Sequence, residues 1–375
     1  MGPVLRIRGH EALTLHIQGL TGEQAAVVND AVRGAGGGIA IDLRGTPAGT
    51  DVALTGPGDR LRGISSILAS APPVHQNLSQ KIQSFLDNYR RSDYKIICRG
   101  RVLDLGSRTH IMGILNVTPD SFTDGGRYLD TDAAVRHARD MAAGGADIID
   151  IGGESTRPGS EPVTEDEELA RVIPVISLLA KEIETPLSVD TYKSRVAEKA
   201  LQAGASLVND ISGLRFSPDM AKVVADHGAA LAIMHIKGTP RNMQKDPVYA
   251  DVVSEVMAYL DEGIELAVQA GVDREQVLID PGIGFGKTLA HNLMLLDRLN
   301  EFRALGRPIL LGTSRKSFIA AVLGDQSLDA RTEGTAATVA LGIERGARVL
   351  RVHDVRQMAR VAGMADAILG NRTVE

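Results

Sequence analysis

Residues able to do acid, amide and cationic chemistry stand at one repeated place in this chain, directly after a short apolar run. Asn116-Val117-Thr118-Pro119-Asp120-Ser121-Phe122-Thr123-Asp124-Gly125-Gly126 follows the run 111–115. Gly152-Gly153-Glu154-Ser155-Thr156-Arg157-Pro158-Gly159 follows 148–151. Asp190 ends 187–189, Asn209-Asp210 ends 206–208, His235 ends 230–234 and Asp280 ends 277–279. Ser314-Arg315-Lys316-Ser317 comes after 309–311, and Arg351-Val352-His353 closes the run 349–352. Any single one has a plain structural explanation. Asp190 could cap the next helix, and Asp280-Pro281-Gly282 could be a simple turn. Eight polar ends in series point instead to a shared ligand mould.

Asp190, Asn209 and Asp280 carry the acid and amide part of that mould. An ionised carboxylate accepts two hydrogen bonds side by side, which suits a guanidine-like or amidine-like edge such as a pterin presents. The alternative is that these groups satisfy one another. Arg315 and Lys316 precede Ser317-Phe318-Ile319-Ala320-Ala321, a helix start, where cations oppose the helix dipole. A bound anion would remove that conflict. Arg351 and His353 add cationic or switchable donors at the neighbouring strand end, where barrels often hold phosphate. Salt bridges to acidic loops are the competing reading. Pro281-Gly282-Ile283-Gly284-Phe285-Gly286-Lys287-Thr288 lacks the first glycine of a phosphate-binding G-x-x-x-x-G-K-[ST] loop, because Pro281 stands there.

The elements that must position these residues alternate. Eight runs, apolar on both sides of the pleat, read as buried parallel strands. Helical periodicity fills 131–142, 165–181, 194–202 and 249–269. Eight strand–helix units in about 265 residues match a (β/α)8 TIM barrel. A doubly wound open sheet competes with it. A small α/β N-terminal domain comes first. It has strands over 13–17 and 39–43, a helix from the Thr21-Gly22-Glu23-Gln24 capping box to Val32, and a helix over 59–68. Ala71-Pro72-Pro73 breaks the chain, a connector helix covers 77–89, and 94–105 forms a hairpin closing the lower mouth of the barrel. The domains are therefore 1–75, a module for docking or oligomerisation, 76–93, a connector, and 94–375, the barrel.

Composition excludes several classes. The 375 residues carry 41 Lys+Arg against 47 Asp+Glu, a formal net charge of −6, so no basic excess favours nucleic acid. Aromatic residues are 3% with no Trp, too few for stacking on single strands. Cys98 is the one cysteine, which removes internal disulfides and suits a reducing cytoplasm. No uncharged apolar run approaches the ~18 residues of a spanning helix. The first residues lack a signal-peptide core, so a cytoplasmic protein with no membrane partner is expected.

Gly113-Ile114-Leu115-Asn116-Val117-Thr118-Pro119-Asp120-Ser121-Phe122 and Gly152-Gly153-Glu154-Ser155-Thr156-Arg157-Pro158-Gly159 strongly resemble the dihydropteroate synthase family. Ser188-Val189-Asp190-Thr191, Val208-Asn209-Asp210, Asp280-Pro281-Gly282-Ile283-Gly284-Phe285-Gly286-Lys287, Ser314-Arg315-Lys316-Ser317 and Arg351-Val352-His353-Asp354 complete the series in family order. The resemblance covers roughly 95–370. Ile236-Lys237 stands where the family more often has Met-Gln, and Ile283 replaces a frequent Phe.

The resemblance implies a condensation of (7,8-dihydropterin-6-yl)methyl diphosphate with 4-aminobenzoate, in a homodimer that uses Mg2+. It implies that Asp190, Asn209, Asp280 and Lys316 hold the pterin. Asn116, Arg351 and His353 would hold the diphosphate, with Asn116 also at the metal. Phe122, Thr156, Arg157, Pro158, Phe285, Lys316 and Ser317 would form the aminobenzoate site, where sulfonamides would compete. Asp124 and Arg157, opposite in charge on two glycine-rich loops, could latch over the reacting centre. The nearest rival is a pterin-binding methyltransferase on the same barrel. The 155–159 loop and the Arg315-Lys316 pair favour the synthase. A second rival, an inert barrel serving as scaffold, sits badly with the complete motif set.

Overall fold

The computed structural model describes residues 4–8, 13–47, 49–70, 73–98, 100–118 and 127–371. The chain divides into two units, Met1–Arg91 with Asn300–Arg307, and Ser92–Leu299 with Pro308–Glu375.

The first unit is built on an antiparallel sheet of β1 (Val4–Arg8), β2 (Leu13–Leu20), β3 (Ala40–Thr46) and β4 (Gly49–Gly56), in the order β1-β2-β4-β3. Leu13, Leu15 and Ile17 alternate onto one buried face of β2, joined by Val52 and Leu54 of β4. Helix α1 (Gly22–Gly34) opens on the Thr21–Gln24 capping box, and α2 (Gly58–Ala69) adds buried Leu61, Ile64 and Leu68. Strands β1 and β4 were not legible in the sequence. β4 reads Gly-Thr-Asp-Val-Ala-Leu-Thr-Gly, mostly weak strand formers, and its pairing with both β2 and β3 decides its conformation. Helix α3 spans Pro73–Arg90 and is longer than expected. Pro73 opens it rather than breaking the chain, since proline at a first helical position forfeits no hydrogen bond. Asn300–Arg307 belongs to the same unit. Asn88 Nδ2 donates to the Ala304 carbonyl at 3.2 Å, and Asn300 Nδ2 to the Tyr89 hydroxyl oxygen at 3.0 Å.

The second unit begins with the hairpin β5 (Lys95–Cys98) and β6 (Arg101–Asp104). Eight parallel strands follow: β7 (His110–Asn116), β8 (Ile148–Gly152), β9 (Leu187–Asp190), β10 (Leu207–Asp210), β11 (Ala230–Met234), β12 (Val277–Asp280), β13 (Ile309–Leu311) and β14 (Ala347–Val352). β14 pairs with β7, which closes the barrel and removes the open-sheet alternative. The strands are buried on both faces, as their apolar runs required. Around them lie α4 (Arg127–Ala143), α5 (Glu165–Glu182), α6 (Ser194–Ala203), α7 (Met220–Asp226), α8 (Val252–Gln269), α9 (Leu289–Asp297), α10 (Ser317–Leu323), α11 (Leu328–Glu344) and α12 (Val355–Ile368). β10 runs on to Asp210, so Asn209 sits inside a strand. The hairpin residues Tyr94, Ile96, Cys98 and Leu105 pack on Met112, Ile148, Leu207, Ala230, Leu278, Leu310 and Val349, near the strand starts. The lower mouth is thereby filled.

Candidate active site

At the upper mouth the strand ends bring five of the expected residues into one group. Arg351, near the end of β14, donates from Nη2 to Asp190 Oδ2 at 2.6 Å and from Nε to Asp150 Oδ2 at 2.6 Å. Asn209 donates from Nδ2 to the same Asp150 oxygen at 3.0 Å. On the other side, Asp280 Oδ2, Lys316 Nζ and the Cβ of Arg351 all lie within 3.9 Å of where a Cβ of Gly312 would stand. Gly152 faces Asp190 in the same way, so two glycines at strand ends keep the mould open. Asp150 Oδ1 and Asp190 Oδ1 are buried and accept no hydrogen bond from the described residues. Such orphaned acceptors are expensive unless a ligand supplies donors.

Electrostatics follow from burial. Burial raises the Asp190 carboxyl to about 7, against the pull of Arg351 and with Asp150 adding to the rise. Burial likewise raises Asp280 and lowers Lys316 to about 8, although each charge pulls the other back. Lys316 donates to the Ile283 carbonyl, and its ammonium lies 4.8 Å from the Phe285 ring centre. The mouth therefore presents acid, amide and ammonium side by side, next to an aromatic wall.

Several strand ends serve the framework instead. Asp210 accepts from Ser212 N, Ser212 Oγ and Leu214 N, closing a turn. His235 is sealed against Lys287, whose Nζ lies 2.9 Å from His235 Nδ1 and donates to the Phe285 carbonyl at 2.9 Å. With its head buried there, Lys287 presents nothing to a phosphate, in keeping with the missing glycine of the loop. Asp190 is not a helix cap, because Lys193 holds that position for α6. Asp280 does close its turn, accepting from Gly282 N at 2.7 Å, but with one oxygen only.

The basic corner differs from expectation. Arg315 is ion-paired with Asp354, so the charge at the start of α10 is already balanced and needs no anion. His353 is not cationic. Burial, reinforced by Arg351 and Arg315, lowers it to about 4. Ser314 Oγ accepts from His353 N and lies 3.0 Å from Nδ1. A hydroxyl proton on that Nδ1 leaves the ring proton on Nε2 as a neutral donor.

Asn116 ends β7 opposite Gly152 and is half-buried at the rim. Thr156 is half-buried, Arg157 and Pro158 are exposed on the loop after β8, and Ser317 is exposed at the first turn of α10. Phe122 and Asp124 lie outside the described residues, and the latch with Arg157 lies there with Asp124.

Two features escaped the sequence reading. Asp150 was counted within the apolar run 148–151. A fully buried acid flanked by isoleucines was itself the signal, since such residues are almost never buried unpaired. The root of the 153–160 loop is held by Lys193, whose Nζ meets Glu154 at 2.5 Å, Glu168 at 2.6 Å and the Val163 carbonyl at 2.8 Å. Tyr192 donates its hydroxyl to Glu154 at 2.7 Å. No spacing in the chain announces this network, because its members come from three separate segments.

Paired acids, an amide and a lysine stand together in the upper mouth of a closed (β/α)8 barrel. The pterin binding enzyme family profile matches residues 112–353. The dihydropteroate synthase of Bacillus subtilis (strain 168) is 52% identical over 267 residues, covering 71% of this chain and 91% of that one. Among solved structures, the dihydropteroate synthase from Clostridium difficile in the presence of pteroic acid superposes with a TM-score of 0.67 at 50% identity, covering 71% and 98%. That from Xanthomonas albilineans with 4-aminobenzoic acid gives 0.70 at 44%, covering 74% and 99%. The chain belongs to the dihydropteroate synthase family and is a transferase.

Proposed function

We propose that the protein condenses (7,8-dihydropterin-6-yl)methyl diphosphate with 4-aminobenzoate to give 7,8-dihydropteroate and diphosphate. The observation that carries this reading is the pair of orphaned carboxylate oxygens, on Asp150 and Asp190, beside Arg351 in the barrel mouth. A donor-rich heterocycle would satisfy the acids, and its anionic substituent would meet the arginine. The 4-aminobenzoic acid and pteroic acid named for the solved relatives fit the same chemistry.

In this reading Asp190, Asn209, Asp280 and Lys316 hold the pterin. Arg351, the neutral Nε2 donor of His353 and the amide of Asn116 hold the diphosphate. The C–O bond to the methylene carbon breaks, and diphosphate leaves with the electron pair. The electron-rich pterin delocalises the developing cation, so cleavage runs ahead of attack. The aryl amine then donates its lone pair to the methylene carbon and releases a proton to solvent, and no dedicated base is required. Thr156, Arg157, Pro158, Phe285 and Ser317, with Phe122, form the aminobenzoate side, which is where a sulfonamide would compete.

Among the described residues no group of three or more His, Cys, Asp or Glu could hold a metal. Mg2+ keeps several of its waters and binds through substrate phosphates plus few protein oxygens. Asn116 would supply that oxygen, and the ion would neutralise charge on the leaving group. Val322 and Leu323 on α10 and Leu328 and Leu341 on α11 are exposed, apolar surface of the kind that supports a homodimer. No helix among the described residues is long and apolar enough to cross a membrane.

Turnover tests the proposal. Dihydropteroate should form from the two substrates and fall when Mg2+ is chelated. Pterin binding without product would favour the methyltransferase reading, which a corrinoid-binding test would then decide.

A further inference from the structure

We propose that Asp150 is a positioning residue, the fixed pivot on which Arg351 turns from Asp190 toward the diphosphate. This rests on the reading that Asp190 takes the pterin and Arg351 the leaving group. Asp150 is fully buried in β8, and its Oδ2 holds both Arg351 Nε and Asn209 Nδ2. Nε lies at the root of the guanidinium. A single hydrogen bond there anchors one point, about which the planar guanidinium can rotate as a rigid unit and carry both Nη nitrogens to a new aim.

In this structure one cation serves two buried acids, and Asp190 already keeps one oxygen without a partner among the described residues. Pterin donors arriving at Asp190 supply what Arg351 Nη2 supplies now. Nη2 is then released, while Asp150 retains Nε through Oδ2, its Oδ1 remaining open to the ligand. A Cβ at Gly312 would stand 3.8 Å from Arg351 Cβ, so the glycine leaves space beside the arginine side chain. The same carboxylate sets Asn209. With Nδ2 committed to Asp150, the Asn209 amide oxygen is left as an acceptor for the ligand. One buried acid thus couples arrival of the heterocycle to presentation of the cation.

A double-mutant cycle of Asp150→Asn and Arg351→Ala tests this, read as kcat, as KM, and as affinity for 6-hydroxymethyl-7,8-dihydropterin, which lacks the diphosphate. The amide introduced by Asp150→Asn can still accept from Asn209 but gives Arg351 no charge. The expected result for Asp150→Asn is a kcat lowered about tenfold or more, with pterin-alcohol affinity changed far less. In the Arg351→Ala background the same change should alter kcat by no more than about twofold. Fully additive losses, or an unchanged kcat in Asp150→Asn while Arg351→Ala is impaired, overturn the pivot alone. Normal turnover in Arg351→Ala overturns the diphosphate reading and the pivot with it. A variant that does not fold leaves the decision to wild-type enzyme carrying 15N-arginine. The Arg351 Nε–H signal should stay protected from solvent exchange when pterin diphosphate binds. Its exposure in that complex overturns the proposal.

Discussion

Arg351 Nη2 lies 2.6 Å from Asp190 Oδ2, so the cation read as facing the diphosphate is tied to the acid read as facing the pterin. Asp190 and Asp280 stand on opposite sides of the mould, and each offers a charged acceptor. Asp190→Asn and Asp280→Asn should each weaken binding of 6-hydroxymethyl-7,8-dihydropterin by about 1.5–3 kcal/mol, the worth of hydrogen bonds to a charged group. Calorimetry on folded variants checks this. Wild-type affinity in both would remove the mould.

The pH dependence has a definite sign. Asp190 titrates near about 7 and Lys316 near about 8. Below about 7 the protonated Asp190 accepts poorly, so pterin affinity rises as pH rises through that value. Above about 8 Lys316 loses its charge, so affinity falls again. A bell-shaped profile of kcat/KM is expected, and Asp190→Asn should flatten its acid limb while sparing the alkaline one. A flat wild-type profile contradicts this assignment.

The barrel was legible because its strands are apolar on both faces and are punctuated by polar ends at similar spacing. The mould residues Asp190, Asn209 and Asp280 were legible for the same reason. What the chain concealed was pairing. Asp354 balances Arg315 and Lys287 buries itself on His235, through partners that only the closed barrel brings near, while Asp210 closes a local turn. Asp150 was hidden by the rule that found its strand, since the acid was counted as one position of the apolar run 148–151. β4 was hidden because strand pairing overrides its weak local preference.

Gly312→Ala should separate folding from binding. The added methyl would meet its nearest side-chain atoms at 3.8–3.9 Å, ordinary contact distances, so the melting temperature should hold. It would also occupy space between Asp280, Lys316 and Arg351. The KM for pterin diphosphate should rise about tenfold or more, as expected for one methyl group placed in a ligand pocket. An unchanged KM would put the ligand elsewhere.

Lys193→Met should act through stability and the 153–160 loop together. It leaves Glu154 and Glu168 buried, facing each other without their shared cation. Breaking such a buried pair costs about 3–5 kcal/mol. Urea unfolding measures this, and the KM for 4-aminobenzoate should rise more than that for the pterin substrate. Equal effects on both KM values would show that Lys193 does not govern the loop.

A chain beginning at residue 92 should keep its turnover, because every residue read into the site lies at or beyond Asn116. Its melting temperature should fall, because Ala304 and Asn300 lose Asn88 and Tyr89. A folded but inactive truncation would show that the N-terminal unit contributes to catalysis.

The condensation is tested most directly by single-turnover mixing of the enzyme with Mg2+, (7,8-dihydropterin-6-yl)methyl diphosphate and 4-aminobenzoate, with both products quantified. Dihydropteroate and diphosphate should appear in equal amounts, and diphosphate should still be released, slowly, when 4-aminobenzoate is left out. Strict dependence of bond cleavage on 4-aminobenzoate would contradict the proposed order of events, and failure to form dihydropteroate in the complete mixture would contradict the assigned reaction itself.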